Sequence, residues 1–185
     1  MNTHTQNRLR EAARGFSLIE LLIVVAIILI IAGIAIPSIL RARMRANDSA
    51  AVANIKNIRD SQATYLITYG DRVGYASTLA TLGPAGPGAP CTQFSACLLD
   101  DLVGCATEPC VKSGYGYFLI SSSSSPPFAD YTSTATPVGW NSTGQKNVCA
   151  SEDGILREQV TATASVAAGI PRNTCGDPTQ FKPVQ

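Results

Sequence analysis

Residues 14–28 read RGFSLIELLIVVAII, and the rest of the chain is read outward from this stretch. From residue 21 to residue 36 every side chain is apolar or glycine, and with residues 16–20 and 37–40 the helix-compatible segment reaches 25 residues. At a rise of about 1.5 Å per residue, roughly 20 residues cross a bilayer, so this segment is long enough to span one. An ordinary secretory signal peptide would also offer a basic start, an apolar stretch and small residues, here Gly33 and Ala35, with cleavage after Ala35. Its apolar stretch would run about 7 to 15 residues, shorter than this one. Glu20 also argues against it, because a carboxylate within a span costs about 2.5 kcal/mol or more at mid-depth and needs a purpose. A plain membrane anchor explains the length. It explains neither Glu20 nor the order of basic residue, glycine and aromatic at positions 14–16.

That combination resembles the leader junction of type IV pilins and of the related pseudopilins of type II secretion. The features that carry the resemblance are Gly15, the aromatic Phe16, a glutamate four residues later at Glu20, and the long apolar helix. The resemblance implies that a prepilin peptidase cuts between Gly15 and Phe16 and methylates the new amino terminus on Phe16. Glycine suits such a site because, without a Cβ, its backbone can pass close to a protease. Cleavage there keeps the helix, whereas cleavage after Ala35 would discard it. The retained helix then packs with its copies in a helical filament, exchanging lipid contacts for protein contacts of similar polarity. The resemblance further implies an inner-membrane assembly platform and a cytoplasmic ATPase as partners, with membrane lipid around the helix before assembly. The expected location is the inner membrane as a single-pass precursor, then a cell-surface filament.

Glu20 takes its expected role from the cost of burying a charge: it must be paired or protonated. The amine of Phe16 is the natural partner, either within the same helix or from a neighbouring subunit, and the resemblance favours the neighbour. Tip-type pilins that initiate a fibre sometimes lack this glutamate, so its presence leans towards a repeating subunit. Gly33 and Pro37 mark a weak zone, since proline removes a backbone hydrogen bond and glycine costs about 1 kcal/mol relative to alanine. Pro37 matches a proline common in pilin helices. Melting of residues 33–37 on leaving the membrane and a simple kink are both open readings.

Beyond the apolar run, Arg41, Arg43 and Arg45 would lie near lipid headgroups or form a solvated helix face. Val52, Ile55, Ile58, Gln62, Tyr65, Leu66 and Tyr69 then recur at three- and four-residue steps, which predicts one helix from about Phe16 to Tyr69, ended by Gly70. Tyr65 and Tyr69 could be an aromatic track for electrons, but aromatics at helical spacing are far more often core. Residues 71–112, with GPAGPGAP at 83–90 and four cysteines, read as a surface loop stapled by disulfides, with a short helix at 98–103. The Gly/Pro tract is too short for a collagen period. Strand signals follow in YGYFLI at 115–120, DYTSTATPV at 130–138 and KNVCASEDGILRE at 146–158, the last turning at Asp153 and Gly154. They predict three or four antiparallel strands. The expected fold class is α+β, with the sheet packed on the second half of the helix. Its parts are a leader at 1–15, the apolar helix at 16–40, its amphipathic continuation at 41–70, the Cys-rich loop at 71–112, and the sheet head and tail at 113–185.

Composition narrows the chemistry. The net charge is +1, and three arginines against one glutamate in the first fifteen residues leave the remainder near neutral. Such a balance provides no global field for nucleic acid, so no specific nucleic-acid partner is expected. The only histidine is His4, in the basic leader, which excludes a Ser/His/Asp triad, a Cys/His dyad or a histidine metal site in the head. Asp100 with Asp101 and Glu152 with Asp153 are paired acids, but turn acids are usually solvated and adjacent strand residues face opposite ways. Some pseudopilins bind calcium in a C-terminal loop, and no segment here matches that loop. The sequence therefore predicts no enzyme, no cofactor and no metal. The run at 121–125 and the sequon at 141–143 could accept sugar or be a plain loop and a chance match.

All six cysteines, Cys91, Cys97, Cys105, Cys110, Cys149 and Cys175, lie beyond the apolar run, which suits an oxidising compartment. Six cysteines allow fifteen pairings. Cys149 with Cys175 is favoured because it would tie the C-terminal tail to the sheet, and local closure favours Cys91 with Cys97 and Cys105 with Cys110. The expected function is a structural subunit of a type IV pilus-like filament. A pseudopilin of type II secretion and an adhesive minor pilin are its rivals.

Overall fold

The computed structural model describes residues 16–159, 164–165 and 168–184. It divides into two compact units, one reaching Ile39 and the other beginning at Leu40.

Helix α1, Leu18–Val73, runs through both units. The N–H of Leu21 donates to the carbonyl of Ser17 at its start. The helix passes Gly70, where the sequence places its end, and stops three residues later. Gly74 there has φ +77°, and its N–H donates to the Gly70 carbonyl at 3.0 Å. A left-handed residue after the last turn is the usual glycine stop. A Cβ at Gly74 would also come within 2.2 Å of the Phe128 carbonyl oxygen. Of the two glycines in YGDRVG, only the second meets both demands.

The second unit is an α+β head. Its sheet has six antiparallel strands in sequential order: β1 Cys110–Lys112, β2 Tyr115–Ile120, β3 Thr132–Pro137, β4 Val148–Ser151, β5 Leu156–Gln159 and β6 Phe181–Pro183. Strands β2 to β4 fall within the three strand signals of the sequence, and β5 overruns the third by one residue. The two edge strands have three residues each, too few to show a period, and Pro183 occupies an edge where a missing N–H is tolerated. The expected three or four strands are therefore six.

The face of α1 that meets the sheet is fixed by Ala51, Ile55, Ile58, Gln62 and Tyr65, all of them fully or almost fully buried. Polar side chains set the register of helix on sheet. Asn54 donates to the Tyr117 hydroxyl at 2.8 Å, and the Tyr115 hydroxyl donates to Asp48 at 2.6 Å. Gln62 clamps Ala76 through both its amide nitrogen and its amide oxygen, each at 2.9 Å. The Tyr65 hydroxyl donates to the Gln93 carbonyl. Tyr65 is thus core, with the partly buried Tyr69 ring 5.4 Å from its own.

The expectation of a surface loop at 71–112 is corrected by the structure. Ala76, Leu79, Leu82, Ala96, Leu99, Val103 and Cys110 from that segment are buried in the main core. Helix α2, Leu79–Leu82, supplies two of them. The segment crosses itself at Gly83 and Gly104, so closely that a Cβ on Gly104 would lie 2.4 Å from the Gly83 Cα. The helix expected at 98–103 is instead a single turn: Asp100 accepts from the N–H groups of Leu102 and Val103, and Gly104 N–H closes it onto the Asp100 carbonyl at 2.7 Å.

The three disulfides pair Cys91 with Cys97, Cys105 with Cys110, and Cys149 with Cys175. The last joins β4 to the short helix α3, Arg172–Cys175. With Ile170 and Phe181 it makes a second, smaller core. Every residue of β3 is buried, consistent with cover on both of its faces. Gly169 lies against Ile120, Phe118 and Thr134 on one of them.

Candidate assembly interface

In the first unit, every large apolar side chain from Phe16 to Ile39 is at least 44 % exposed. The stretch is apolar on all faces of the helix, and none of its residues is buried. Burying one such side chain is worth about 1.5–3 kcal/mol, so the segment as a whole represents tens of kcal/mol of unburied surface. A helix hydrophobic all round belongs in a bilayer or in a protein core. This one is long and apolar enough to cross a membrane.

Phe16 lies two residues before the helix, and Glu20 lies in its first turn, exposed. Among the described residues no hydrogen bond or ion pair engages the Glu20 carboxylate. Gly15 and the expected cut on its C-terminal side lie at the border of the described residues, with Gly15 itself outside them. Gly33 and Pro37 both lie within α1, which is helical through residues 33–37. They stand four apart, so the missing N–H of Pro37 would have bonded the Gly33 carbonyl. A Cβ on Gly33 would meet nothing within 4 Å, so no neighbour in the chain demands glycine there.

The head presents structural polar contacts. The Lys112 ammonium binds Asp100 at 2.6 Å. Burial alone would raise the Asp100 carboxyl, but Lys112 and the N–H groups of Val103 and Leu102 hold it below the usual range. Asp153 is likewise kept low against burial by Arg157 and the Ile155 N–H. Glu152 pairs with Arg172. The paired acids of the sequence are therefore each committed to a cation or a turn, Asp101 excepted. Among the described residues no group of three His, Cys, Asp or Glu side chains could hold a metal. Sequence reasoning missed Glu108, whose two carboxylate oxygens accept from the N–H groups of Leu79 and Leu119, both at 2.9 Å. Nothing in the pattern around a lone Glu-Pro in a Cys-rich loop announces that role.

Comparison with known proteins bears on the same N-terminal segment. The family of the prokaryotic N-terminal methylation motif matches residues 11–36. The type IV wide pilus major component PilA4 of Thermus thermophilus is 47% identical over 70 residues, covering 38% of this chain and 51% of that protein. The type IV major pilin protein PilA of Myxococcus xanthus is 44% identical over 59 residues, covering 32% of this chain and 27% of its own. Both relatives are type IV pilins by name, and this chain is similar to them over its N-terminal helix. The matched segment spans about half of the first relative and about a quarter of the second. No solved structure matches the chain. The similarity to pilins thus lies in the methylation motif and the helix, and the order of one long helix followed by an antiparallel sheet is pilin-like.

Proposed function

We propose that this chain is a pilin, a structural subunit of a type IV pilus-like surface filament, assembled through the apolar first part of α1. The observation that carries the reading is an all-round apolar, unburied helix whose start lies inside an N-terminal methylation motif match at residues 11–36. The precursor sits in the membrane by that helix, a prepilin peptidase cuts between Gly15 and Phe16 and methylates Phe16, and an inner-membrane platform driven by an ATPase moves the subunit into the fibre. There, helices from many copies replace the lipid, so the apolar surface stays covered throughout. Residues 33–37 are the proposed place where the helix loosens during that transfer, because the Gly33 carbonyl lacks its helical donor. A pseudopilin of type II secretion would share the N-terminus; the relatives named above, a pilus major component and a major pilin, favour the pilus.

Glu20 is the residue that tests assembly apart from folding. In a fibre core its carboxylate needs a cation, and the Phe16 amine of a neighbouring subunit supplies one and sets the axial register. Breaking a buried pair costs about 3–5 kcal/mol, because the remaining charge stays unpaired. A Glu20→Ala chain, produced as the only copy, is expected to be cleaved and to keep its three disulfides, yet to yield no filaments. Wild-type filament yield from that variant would remove Glu20 from assembly.

A further inference from the structure

The end of the apolar run carries a second site. Arg41, Met44, Arg45 and Gln145 line an open cleft of about 260 Å³ between α1 and the segment before β4. Arg45 also borders a neighbouring cleft with Asp48 and Lys146. The charges of the two clefts differ. In the neighbouring one, Asp48 accepts from the Tyr115 hydroxyl and the Gln145 N–H, and Lys146 is paired with Glu158. In the first, Arg41 and Arg45 have no carboxylate partner among the described residues. They are four apart on the helix, hence one turn apart on one face, and they converge on a cleft whose remaining wall is neutral. Arg43 lines neither cleft. At 3.6 residues per turn it points to the other side of the helix.

We infer that Arg41 and Arg45 form a binding cleft for the phosphate of an anionic phospholipid headgroup, occupied while the subunit is still in the membrane. Guanidinium groups bind phosphate through paired N–H donors, and two of them at one cleft can address both non-bridging oxygens of a phosphodiester. Position selects the lipid as the source. The cleft begins at the first residue after the apolar run, the depth at which headgroups lie, and Met44 offers an apolar surface to the glycerol and acyl region. The bound lipid would hold the head at a fixed height on the membrane, and extraction of the subunit would have to break this contact. The inference rests on reading the apolar run as a membrane span.

The test uses the full chain in non-ionic detergent, titrated with phosphatidylglycerol, with phosphatidylcholine and with inorganic phosphate, and read by native mass spectrometry. One phosphatidylglycerol is expected to remain bound in preference to phosphatidylcholine. Arg41→Gln and Arg45→Gln are each expected to weaken it about five-fold, and Arg43→Gln less than about two-fold. Intact disulfides and an unchanged helical spectrum show that the variants fold. An equal loss in Arg43→Gln would mean a diffuse basic surface and overturn the cleft. Absence of a preference for phosphatidylglycerol, or displacement of it by inorganic phosphate at equal concentration, would overturn the headgroup assignment. Failure of the span reading would show separately, as a chain that stays soluble and monomeric without detergent.

Discussion

Single side chains set the terms on which the head folds, and Glu108 is the clearest of them. Burial raises its carboxyl above the ordinary range, against the lowering effect of the Leu79 and Leu119 N–H groups it accepts from. An alanine there leaves two N–H groups without their acceptor, each worth about 1–3 kcal/mol when buried. Glu108→Ala is therefore expected to lose about 2 kcal/mol or more in denaturant titration of the disulfide-intact chain, and an unchanged midpoint would deny the carboxylate this role. The tyrosines give a pH signature. Burial pushes the Tyr117 hydroxyl up to about 12, while the hydrogen bond from Asn54 pulls the other way. Tyr115 and Tyr131 are also raised, first by burial. A tyrosine that ionises at 10.0 when unfolded but higher when folded holds its proton more tightly in the fold. Stability is then lost as pH rises above 10.0. Ultraviolet absorbance of tyrosinate should rise for these three residues only together with loss of the folded circular dichroism signal. Gln62 shows how far a sequence pattern reaches at this scale: its place in the apolar stripe predicts burial, and the structure buries it, but nothing in the stripe foretells the Ala76 clamp that makes burial affordable.

At the scale of elements, what was legible had a period or a turn signal. YGYFLI is β2 from its first residue to its last, and the Asp153–Gly154 turn separates β4 from β5, with Gly154 at φ +74°. The end of α1 lies at the second of two glycines that look alike in sequence, and the left-handed backbone and the approach of Phe128 at Gly74 distinguish them. The segment 71–112 was misread for another reason. Gly, Pro and Cys are surface signals in the absence of periodicity, whereas here short apolar pieces of one or two residues reach the core from irregular backbone. The crossing of Gly83 and Gly104 tests that correction. Gly104→Ala must push a methyl group into the Gly83 backbone, so a loss of about 1–3 kcal/mol is expected from denaturation, as for other overpacked sites. A solvated loop would tolerate the change. The link between β4 and α3 is the other measurable element. Replacing Cys149 and Cys175 together by serine should cost about 2–4 kcal/mol. Retention of full stability in that double variant would mean that Ile170 and Phe181 hold the tail without it.

The whole molecule combines one unit that has no core of its own with one that does. From Leu18 to Ile39 the chain is an apolar helix whose side chains find no cover within the described protein. From Leu40 onward it is a disulfide-bonded α+β head with two cores. A chain built this way is stable only if lipid or other copies cover the helix, and the proposed function uses both in turn. Length, apolarity and Glu20 made that legible in the sequence. The choice between pilus and secretion filament was not, because both need the same helix and the same leader junction. The decisive measurement is the intact mass of the polypeptide recovered from filaments sheared off the cell surface. The account predicts a chain that begins at Phe16, carries one added methyl group and retains three disulfides. A surface form beginning at Ile36, or a chain found only in the membrane with residues 1–15 still attached and absent from every filament, would contradict it.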